Sequence, residues 1–198
     1  MVDAVNDSPI SLDYLKHSQM EVSTFIEVYV IGGEIFAFRD DTCYCLISSG
    51  WCPTTLDYEE DDIKEFGVKL VLKTRADALD TGRGIISDLK STTGNAKDVN
   101  EMKQKVAALN YELSAAFYLD VFSLASGVDF HTWIWIFSSK DYGNCRSYKA
   151  SDKNMMVGRA MWKKSVLLIA KYVESGWDFY DELGEIGPVT YKLDWLND

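Results

Sequence analysis

The sequence predicts an α+β domain in which an antiparallel sheet packs against one long central helix and a second amphipathic helix. Residues 98–127 form the longest uninterrupted helical pattern of the chain. Three runs rich in β-branched and aromatic residues follow one another between residues 23 and 47, which is typical of an antiparallel meander. A chain of 198 residues is the size of one domain. We therefore expect residues 1–198 to share a single core that contains the meander and the long helix.

The long helix is predicted from its two ends and from the apolar stripe between them. Asp98 and Glu101 form a capping-box-like start, and Gly127 is a natural stop. The stripe consists of Met102, Val106, Leu109, Leu113, Phe117 and Leu124. Asp120 falls where the stripe predicts an apolar residue. A carboxylate bonded to a neighbouring donor explains this position better than a catalytic acid does, and the role of Asp120 stays open.

The remaining elements are predicted from periodicity and from turn residues. Ser8 and Pro9 begin a short helix, and the glycine pair 32–33 is a hairpin turn. Thr74 and Asp77 form a second capping signal. Strands are expected over residues 23–31, 34–38, 43–47, 68–73, 130–137 and 189–195. Helices are expected over residues 8–19, 74–89, 98–127 and 159–175, a short one ending near residue 66, and loops over residues 91–95 and 140–154.

The overall composition excludes several classes of protein. A hydrophobic content of 47% and an aromatic content of 13% are globular values, which exclude a disordered chain. No apolar run approaches the ~20 residues of a membrane span, and the N-terminus lacks the basic and apolar segments of a signal peptide. We therefore expect a cytoplasmic chain with no membrane partner, including one that acts inside a host cell. Its four cysteines are expected to be reduced.

The net charge of −11 is unevenly distributed along the chain. Most of the excess of acidic residues lies in the first hundred positions. Residues 140–171 are the reverse, with eight lysines and arginines against two aspartates, a net charge of +6. Such segregation favours binding to charged partners or to other copies of the same chain.

No group of side chains forms a strong catalytic or metal-binding motif. Zinc could in principle use Cys43, Cys45, Cys52, Cys145 and His131, but the spacing lacks the C-x2-C pair that grips one ion, so buried, inert thiols are the better interpretation. Whether these residues approach one another is open. His131 leads into an apolar strand, where a structural role is favoured over a general base. We therefore predict no catalytic residues, no metal and no cofactor.

Two acidic clusters are the main candidate binding site. Runs of charge are most often solvated faces. Carboxylates repeated along a surface can also occupy a site built for phosphates, with aromatic side chains as anchors. The leading hypothesis is accordingly a non-enzymatic binding protein, an inhibitor of the DNA-mimic type made by a phage or virus, which engages a basic nucleic-acid-handling partner. Its binding residues would be Asp57, Tyr58, Glu59, Glu60, Asp61, Asp62, Trp177, Asp178, Asp181 and Glu182.

The basic segment supports a second hypothesis. Arg146, Lys149 and Lys153, with tyrosines between them, could follow a phosphate backbone. The net charge of −11 argues against a free-standing nucleic-acid binder, so direct contact with nucleic acid is expected only through residues 140–171. A self-assembling viral or structural subunit could use the same segment to contact nucleic acid or a neighbouring copy in a homo-oligomer. An enzyme of unknown class is the third hypothesis.

Overall fold

The computed structural model describes residues 2–54 and 60–176, and within them one mixed sheet of eight strands is flanked by six helices. The helices are α1 (Val2–Asn6), α2 (Pro9–Lys16), α3 (Glu60–Phe66), α4 (Val99–Ala108), α5 (Tyr111–Ser126) and α6 (Asp152–Glu174). The strands are β1 (Gln19–Ile31), β2 (Glu34–Arg39), β3 (Thr42–Ile47), β4 (Gly50–Pro53), β5 (Val68–Asp80), β6 (Ile85–Thr92), β7 (Thr132–Ser139) and β8 (Cys145–Lys149).

The sheet has the strand order β4-β3-β2-β1-β5-β6-β7-β8. All neighbouring strands are antiparallel except β6 and β7, which are parallel. The predicted meander is present, because β1, β2 and β3 are joined in order, with positive φ at Gly32 and Gly33 in the first turn. The mixed α/β character is therefore confirmed, whereas the expectation of an entirely antiparallel sheet is wrong at one pair of strands.

The main core lies between one face of the sheet and helices α4, α5 and α6. Trp133 and Trp135 of β7 pack there with Leu119 of α5 and Trp162 of α6, and each of these side chains is at most 3% exposed. The opposite face of β7 presents Ile134 to helix α1, in a second, smaller core. All eight residues of β7 are buried, as expected for a strand that is apolar on both faces.

The single long helix predicted over residues 98–127 is instead two helices. Helix α4 begins at the predicted cap, where the Asp98 carboxylate accepts hydrogen bonds from the backbone N–H groups of Asn100 and Glu101. The helix ends at Ala108, and Asn110 has the left-handed angles φ 52 and ψ 39. Asparagine tolerates this conformation, and Leu109, assigned to the apolar stripe, is 57% exposed. The apolar stripe therefore changes direction between α4 and α5.

The helix predicted over residues 74–89 is also wrong. These residues form the second half of β5, a four-residue turn and the first half of β6. Strand β5 pairs with β1 along almost its whole length, so the alternating pattern of residues 68–73 continues through Ala76 and Ala78. Long-range pairing with β1 outweighs the local capping signal of Thr74 and Asp77, because that signal contributes only about 1 kcal/mol.

Several shorter elements differ from the expectation at their ends. The loop predicted over residues 140–154 contains the edge strand β8, and helix α6 begins at Asp152 rather than at residue 159, because Ser151 and Asn154 form a capping box. The predicted strand over residues 189–195 and the acidic segment after residue 176 lie outside the described residues. None of the helices within the described ranges is both long and apolar enough to cross a membrane.

Asp120 is a structural carboxylate that joins the two helices of the main core. Arg159 of α6 donates to it through Nε at 3.0 Å and through Nη2 at 2.8 Å, and the indole N–H of Trp162 donates at 3.0 Å. Burial raises the pKa of Asp120, and the hydrogen bonds and charge of Arg159 oppose that rise. These donors satisfy a carboxyl side chain that is only 4% exposed, so its charge stabilises the contact between α5 and α6.

The contact between α5 and α6 is closest at Gly158. A Cβ atom added there would lie 2.0 Å from the carbonyl oxygen of Glu112 and 2.9 Å from the Cβ of Ala116. Only a glycine therefore allows the two helices to approach this closely.

We expect Gly158→Ala to lower the free energy of unfolding by about 1–3 kcal/mol. Alanine normally favours a helix over glycine by about 1 kcal/mol, but here the added methyl group would force α5 and α6 apart. Urea denaturation followed by circular dichroism measures the change. Lys164→Ala, at an exposed position of the same helix, is the control and should change stability by no more than about 0.5 kcal/mol. A stabilising effect of Gly158→Ala would contradict the close approach of the helices.

Candidate active site

Three charged side chains meet where β5, β6 and β7 lie side by side. Asp88 is paired with Trp135 across the parallel strands, and Lys90 is paired with Phe137, so both lie on the face of the sheet that carries α4, α5 and α6. In the register of β5 and β6, Ala78 pairs with Ser87, which places Asp77 beside Asp88 on this same face. Two aspartates and a lysine thus lie together under the helices.

The contacts among these side chains are close. Lys90 Nζ lies 2.9 Å from both carboxylate oxygens of Asp88, and it donates a hydrogen bond to Oδ1. Asp77 Oδ2 accepts a hydrogen bond of 2.9 Å from the backbone N–H of Leu89. Tyr111, at the start of α5, places its ring 4.8 Å from Lys90 Nζ, so the ammonium group is held between a carboxylate and an aromatic face.

Asp88 is ionised at an energetic cost. Burial raises its pKa, Lys90 partly offsets that effect, and the neighbouring carboxyl group of Asp77 raises it further, to about 6. The Asp88 side chain is 12% exposed, and its buried Oδ2 atom is in ion-pair contact with Lys90 Nζ but accepts no well-aligned hydrogen bond within the described part of the chain. Burial lowers the pKa of Lys90, but the charge and the hydrogen bond of Asp88, together with Tyr111 and Asp77, outweigh burial and the net pKa is raised. Lys90 therefore stays protonated at neutral pH, beside a carboxylate that is not fully satisfied.

A second basic side chain, Lys105 of α4, contacts β6 two positions beyond Lys90. Lys105 of α4 donates to the hydroxyl of Thr92, which shares a face with Asp88 and Lys90, and the Lys105 ammonium is also 3.9 Å from the Glu101 carboxylate. Glu101 accepts a hydrogen bond from the backbone N–H of Asn95 instead of completing a capping box with Asp98. Helix α4 is thus fixed over the end of β6 by polar contacts on both sides.

An open cleft of about 530 Å³ lies one strand away from the charged residues of β6, which do not themselves line it. It lies between α4, the start of α6 and the strands β7 and β8. Two of its lining residues, Trp135 and Phe137, are the residues of β7 that pair with Asp88 and Lys90. Among its lining residues are three lysines, Lys103, Lys149 and Lys153, and one glutamate, Glu112.

Of the residues predicted from sequence to bind a partner, the basic ones lie near this cleft, and the acidic ones that the structure describes do not. Lys149 and Lys153 line the cleft, and Arg146 lies on β8, paired with Phe137. Glu60, Asp61 and Asp62 form the first turn of α3, which packs on the opposite face of the sheet through Ile63. The remaining predicted residues, Asp57, Tyr58, Glu59, Trp177, Asp178, Asp181 and Glu182, lie outside the described residues.

The cysteines and His131 do not converge. Cys45 and Cys52 are paired on β3 and β4, whereas Cys145 is on β8 at the other edge of the sheet. Burial raises the pKa of Cys43, Cys45 and Cys145, so their thiols are protonated at neutral pH. The described residues contain no group of three or more histidine, cysteine or acidic side chains arranged to hold a metal ion.

Comparison with known families identifies the chain. Residues 62–176 match the family described as "PDDEXK-like domain of unknown function (DUF3799)". The match covers more than half of the 198 residues, and the chain therefore belongs to this family. The letters of the description name, in order, a proline and an aspartate, an acidic position (D or E), any residue X and a lysine. Asp77 and the sequence Asp88-Leu89-Lys90 fit this order, with aspartate at the acidic position before X and with Ala76 instead of proline before Asp77.

One solved structure shows a related fold, and a second is similar at a lower level. The crystal structure named "Putative exonuclease", from Eubacterium rectale, is 14% identical and superposes with a TM-score of 0.54 over 96% of this chain and 61% of that chain. The crystal structure of SSO0001 is 14% identical, with a TM-score of 0.38 over 83% of this chain and 57% of that chain. This chain thus spans about three fifths of the length of these structures. A search of curated proteins finds no match.

These findings correct the functional hypothesis drawn from the sequence. The prediction of a non-enzymatic, DNA-mimic inhibitor is contradicted, because the chain belongs to a PDDEXK-like family and shares its fold with a structure named as an exonuclease. The prediction that the protein is not an enzyme is contradicted by the same findings. The enzyme, ranked third, is the hypothesis that they favour.

The site was missed because its residues were assigned to a helix. In a helix, the eleven positions between Asp77 and Asp88 correspond to about three turns, and Asp88 and Lys90 lie on different faces. No cluster is therefore expected. In adjacent strands the same residues share one face. The available signal was the alternation of Thr74, Ala76 and Ala78 with charged residues after residue 73, followed by an acidic residue, one apolar residue and a lysine.

We expect the stability of the metal-free protein to depend on the protonation of Asp88. An unfolded chain releases this proton near the ordinary pKa of 3.8, whereas the folded chain holds it until about pH 6. Between these values the folded state binds more protons, so its stability falls as the pH rises. Relative to Asp88→Asn, the wild type should lose about 2.5 kcal/mol between about pH 4 and about pH 7, which is most of the ~3 kcal/mol that the whole shift represents at about 1.4 kcal/mol per pKa unit.

Urea denaturation of both proteins across this pH range, in buffer containing a chelator, measures the difference. A difference that does not change with pH would show that Asp88 titrates normally in the folded protein.

Proposed function

We propose that the chain is a metal-dependent nuclease that hydrolyses phosphodiester bonds of nucleic acid at the site formed by Asp77, Asp88 and Lys90. The observation that carries this proposal is the placement of Asp77 directly beside Asp88-Leu89-Lys90 on adjacent strands, in a chain of a PDDEXK-like family. The fold shared with a structure named as an exonuclease is consistent with it.

The residues present suit a hard divalent cation such as Mg²⁺ or Mn²⁺. Such ions prefer carboxylate oxygens, and Mg²⁺ commonly uses only one or two carboxylates and completes its shell with water and substrate phosphate. Asp77 and Asp88 supply two adjacent carboxyl groups, and the buried Oδ2 of Asp88 has only the ammonium group of Lys90 in contact with it and accepts no well-aligned hydrogen bond among the described residues. A cation would relieve both the repulsion between the carboxyl groups and the cost of burying Asp88. When bound there, a metal ion makes its water more acidic and offsets the charge of the phosphate.

The side chains of the protein have complementary roles in this reaction. A water molecule gives up a proton and attacks phosphorus, the bond to the leaving oxygen breaks, and the leaving oxygen takes up a proton from solvent, so that one water is consumed for each bond cleaved. Lys90 holds its proton at neutral pH and is fixed by Asp88 and Tyr111, so its ammonium group is positioned to stabilise negative charge that builds up on the phosphate oxygens. Asp77 is oriented by the backbone of Leu89. Preorganisation of this kind is most effective at a site shielded from water.

The net charge of −11 is compatible with a polyanionic substrate because the side chains around the cleft are mainly basic. Lys103, Lys149 and Lys153 line the cleft beside β7, and of the acidic residues that the structure describes only Glu112 lines it. Glu60, Asp61 and Asp62 are on the other face of the sheet. At physiological ionic strength a charge is screened over about 8 Å. The nearby lysines therefore act on the substrate more strongly than the distant acidic surface does.

We expect Asp88→Asn and Asp77→Asn each to reduce Mg²⁺- or Mn²⁺-dependent cleavage of linear DNA at least about 100-fold, and Lys90→Met to reduce it by about 100- to 1,000-fold. Gel assays of end-labelled DNA measure cleavage, and titration calorimetry with Mn²⁺ in the absence of DNA measures metal binding. Binding of Mn²⁺ should be lost in Asp88→Asn and retained in Lys90→Met.

The matched control is Asp80→Asn. Asp80 is also on β5 and is only 4% exposed, but it bonds Arg83 on the face of the sheet away from the site. Its replacement should leave cleavage within about twofold, an estimate that rests on its distance from the reacting groups. Full activity in Asp88→Asn, or wild-type protein that binds no Mn²⁺ and cleaves no DNA, would overturn the proposal.

A further inference from the structure

The cleft beside the proposed catalytic residues has aromatic walls. Trp135, Phe137 and Tyr148 line it, and the rings of Phe137 and Tyr148 meet edge to face with centroids 6.1 Å apart. The Tyr148 hydroxyl is fixed by a hydrogen bond of 2.8 Å to the carbonyl oxygen of Ala96. Trp135 and Phe137 are buried and form the floor of the cleft, whereas Tyr148 is partly exposed, so a planar group can pack against these fixed rings at little entropic cost.

Trp135 carries an unused hydrogen-bond donor. Its side chain is 3% exposed, and its indole N–H is buried without a hydrogen-bond partner in the described ranges. A buried donor without a partner costs about 1–3 kcal/mol. The carbonyl oxygen of a bound group would remove this cost. The cleft therefore has the features that a flat ring with polar edges requires.

The charge at the mouth of the cleft indicates an anionic ligand. Lys103 of α4, Lys149 of β8 and Lys153 of α6 come from three different elements and surround an apolar interior. Lys149 and Lys153 are exposed. A ligand that matches both parts has an aromatic ring for the interior and a phosphate for the lysines, which is the chemistry of a nucleotide.

The position of the cleft relates it to the site of hydrolysis. Trp135 is the residue paired with Asp88 across β6 and β7, and neighbouring strands are about 4.8 Å apart. Tyr111 connects the two regions, because its ring lies over Lys90 and also 6.4 Å from the ring of Phe137. A base seated on these aromatic residues would thus belong to a nucleotide next to the phosphate at Asp88.

We propose that the cleft is a nucleobase pocket, which binds one unpaired base of the substrate strand beside the phosphate that is cleaved. The base stacks on the aromatic walls, the indole N–H of Trp135 donates to a carbonyl oxygen of the base, and the lysines bind the adjoining phosphates. This inference rests on the proposed nuclease function, and it further specifies a single-stranded or locally unpaired substrate, since a paired base cannot enter.

The experiment monitors the indole N–H resonance of Trp135 in two-dimensional NMR spectra of the full chain, in buffer with a chelator so that nothing is cleaved. The probes are thymidine 5′-monophosphate and a thymidine tetranucleotide, and Trp135→Phe assigns the resonance. We expect saturable shifts with both probes and tighter binding of the tetranucleotide, because it adds phosphates for the lysines. Val157→Trp, which narrows the cleft from an exposed position that lines it, should weaken binding about tenfold or more.

Charge variants separate the cleft from the general surface. Lys153→Glu should weaken binding of the tetranucleotide and reduce its dependence on salt. Lys164→Glu is the matched control, because it makes the same change of charge on the same helix about 16 Å further along and outside the cleft. Binding should be unchanged in that control. Val157→Trp should also raise the KM for single-stranded DNA with little change in kcat.

The outcomes of this experiment and of the cleavage assay are distinguishable. Absence of any shift of the Trp135 resonance at millimolar probe, in a protein that cleaves DNA, would overturn the nucleobase pocket and leave the nuclease proposal standing. A shift that Val157→Trp does not diminish would also overturn the pocket, because the base would then bind elsewhere. A shift abolished by Val157→Trp, in a protein that hydrolyses nothing, would support the pocket and overturn the nuclease function.

Discussion

The parallel pairing of β6 with β7 is the constraint on which the rest of the structure depends. Two parallel neighbours cannot be joined by a hairpin, so the chain must return along one face of the sheet between residues 92 and 132. Helices α4 and α5 make this return. They cover the face on which Asp77, Asp88 and Lys90 lie, and the space that remains between α4, β7, β8 and α6 is the cleft. The site and its neighbouring pocket both follow from one crossover.

Burial beneath the crossover gives the site its chemical character. In water, Asp88 would be an ordinary carboxylate and Lys90 an ordinary amine. Under α5, burial and the neighbouring carboxyl group raise the pKa of Asp88 to about 6, and Lys90 is fixed against both Asp88 and the ring of Tyr111. The fold thus retains an unfavourable carboxylate pair that a cation would relieve. The carboxylate of Asp120 is even more buried but is fully satisfied by Arg159 and Trp162, and it stabilises the packing of two helices. The two aspartates differ in their hydrogen-bond donors, since Asp120 accepts from Arg159 and Trp162 whereas Asp88 accepts from Lys90.

The distribution of charge matters more here than its sum. A chain with a net charge of −11 is an unlikely nucleic-acid binder if the charge is taken as uniform. In the structure, α3 carries its acidic first turn on the opposite face of the sheet from the cleft, while lysines from α4, β8 and α6 surround the cleft. Screening makes the nearer group dominant. The basic residues Lys149 and Lys153, considered for nucleic-acid contact from the sequence, are thus placed beside the proposed site, although the role first given to the acidic clusters was wrong.

The sequence by itself determined the elements whose signals are local. The Asp98 cap, the Gly127 stop, the hairpin at Gly32 and Gly33 and the apolar strand β7 were all predictable, since each depends on residues within a few positions of one another. Only the tertiary structure decided that residues 74–89 are strands, that the long helix breaks at Asn110, and that Asp77, Asp88 and Lys90 meet. Pairing of β5 with β1 and of β6 with β7 joins residues about 50 positions apart. The free energy of those contacts outweighs the local helical preference, and no window of sequence contains both partners.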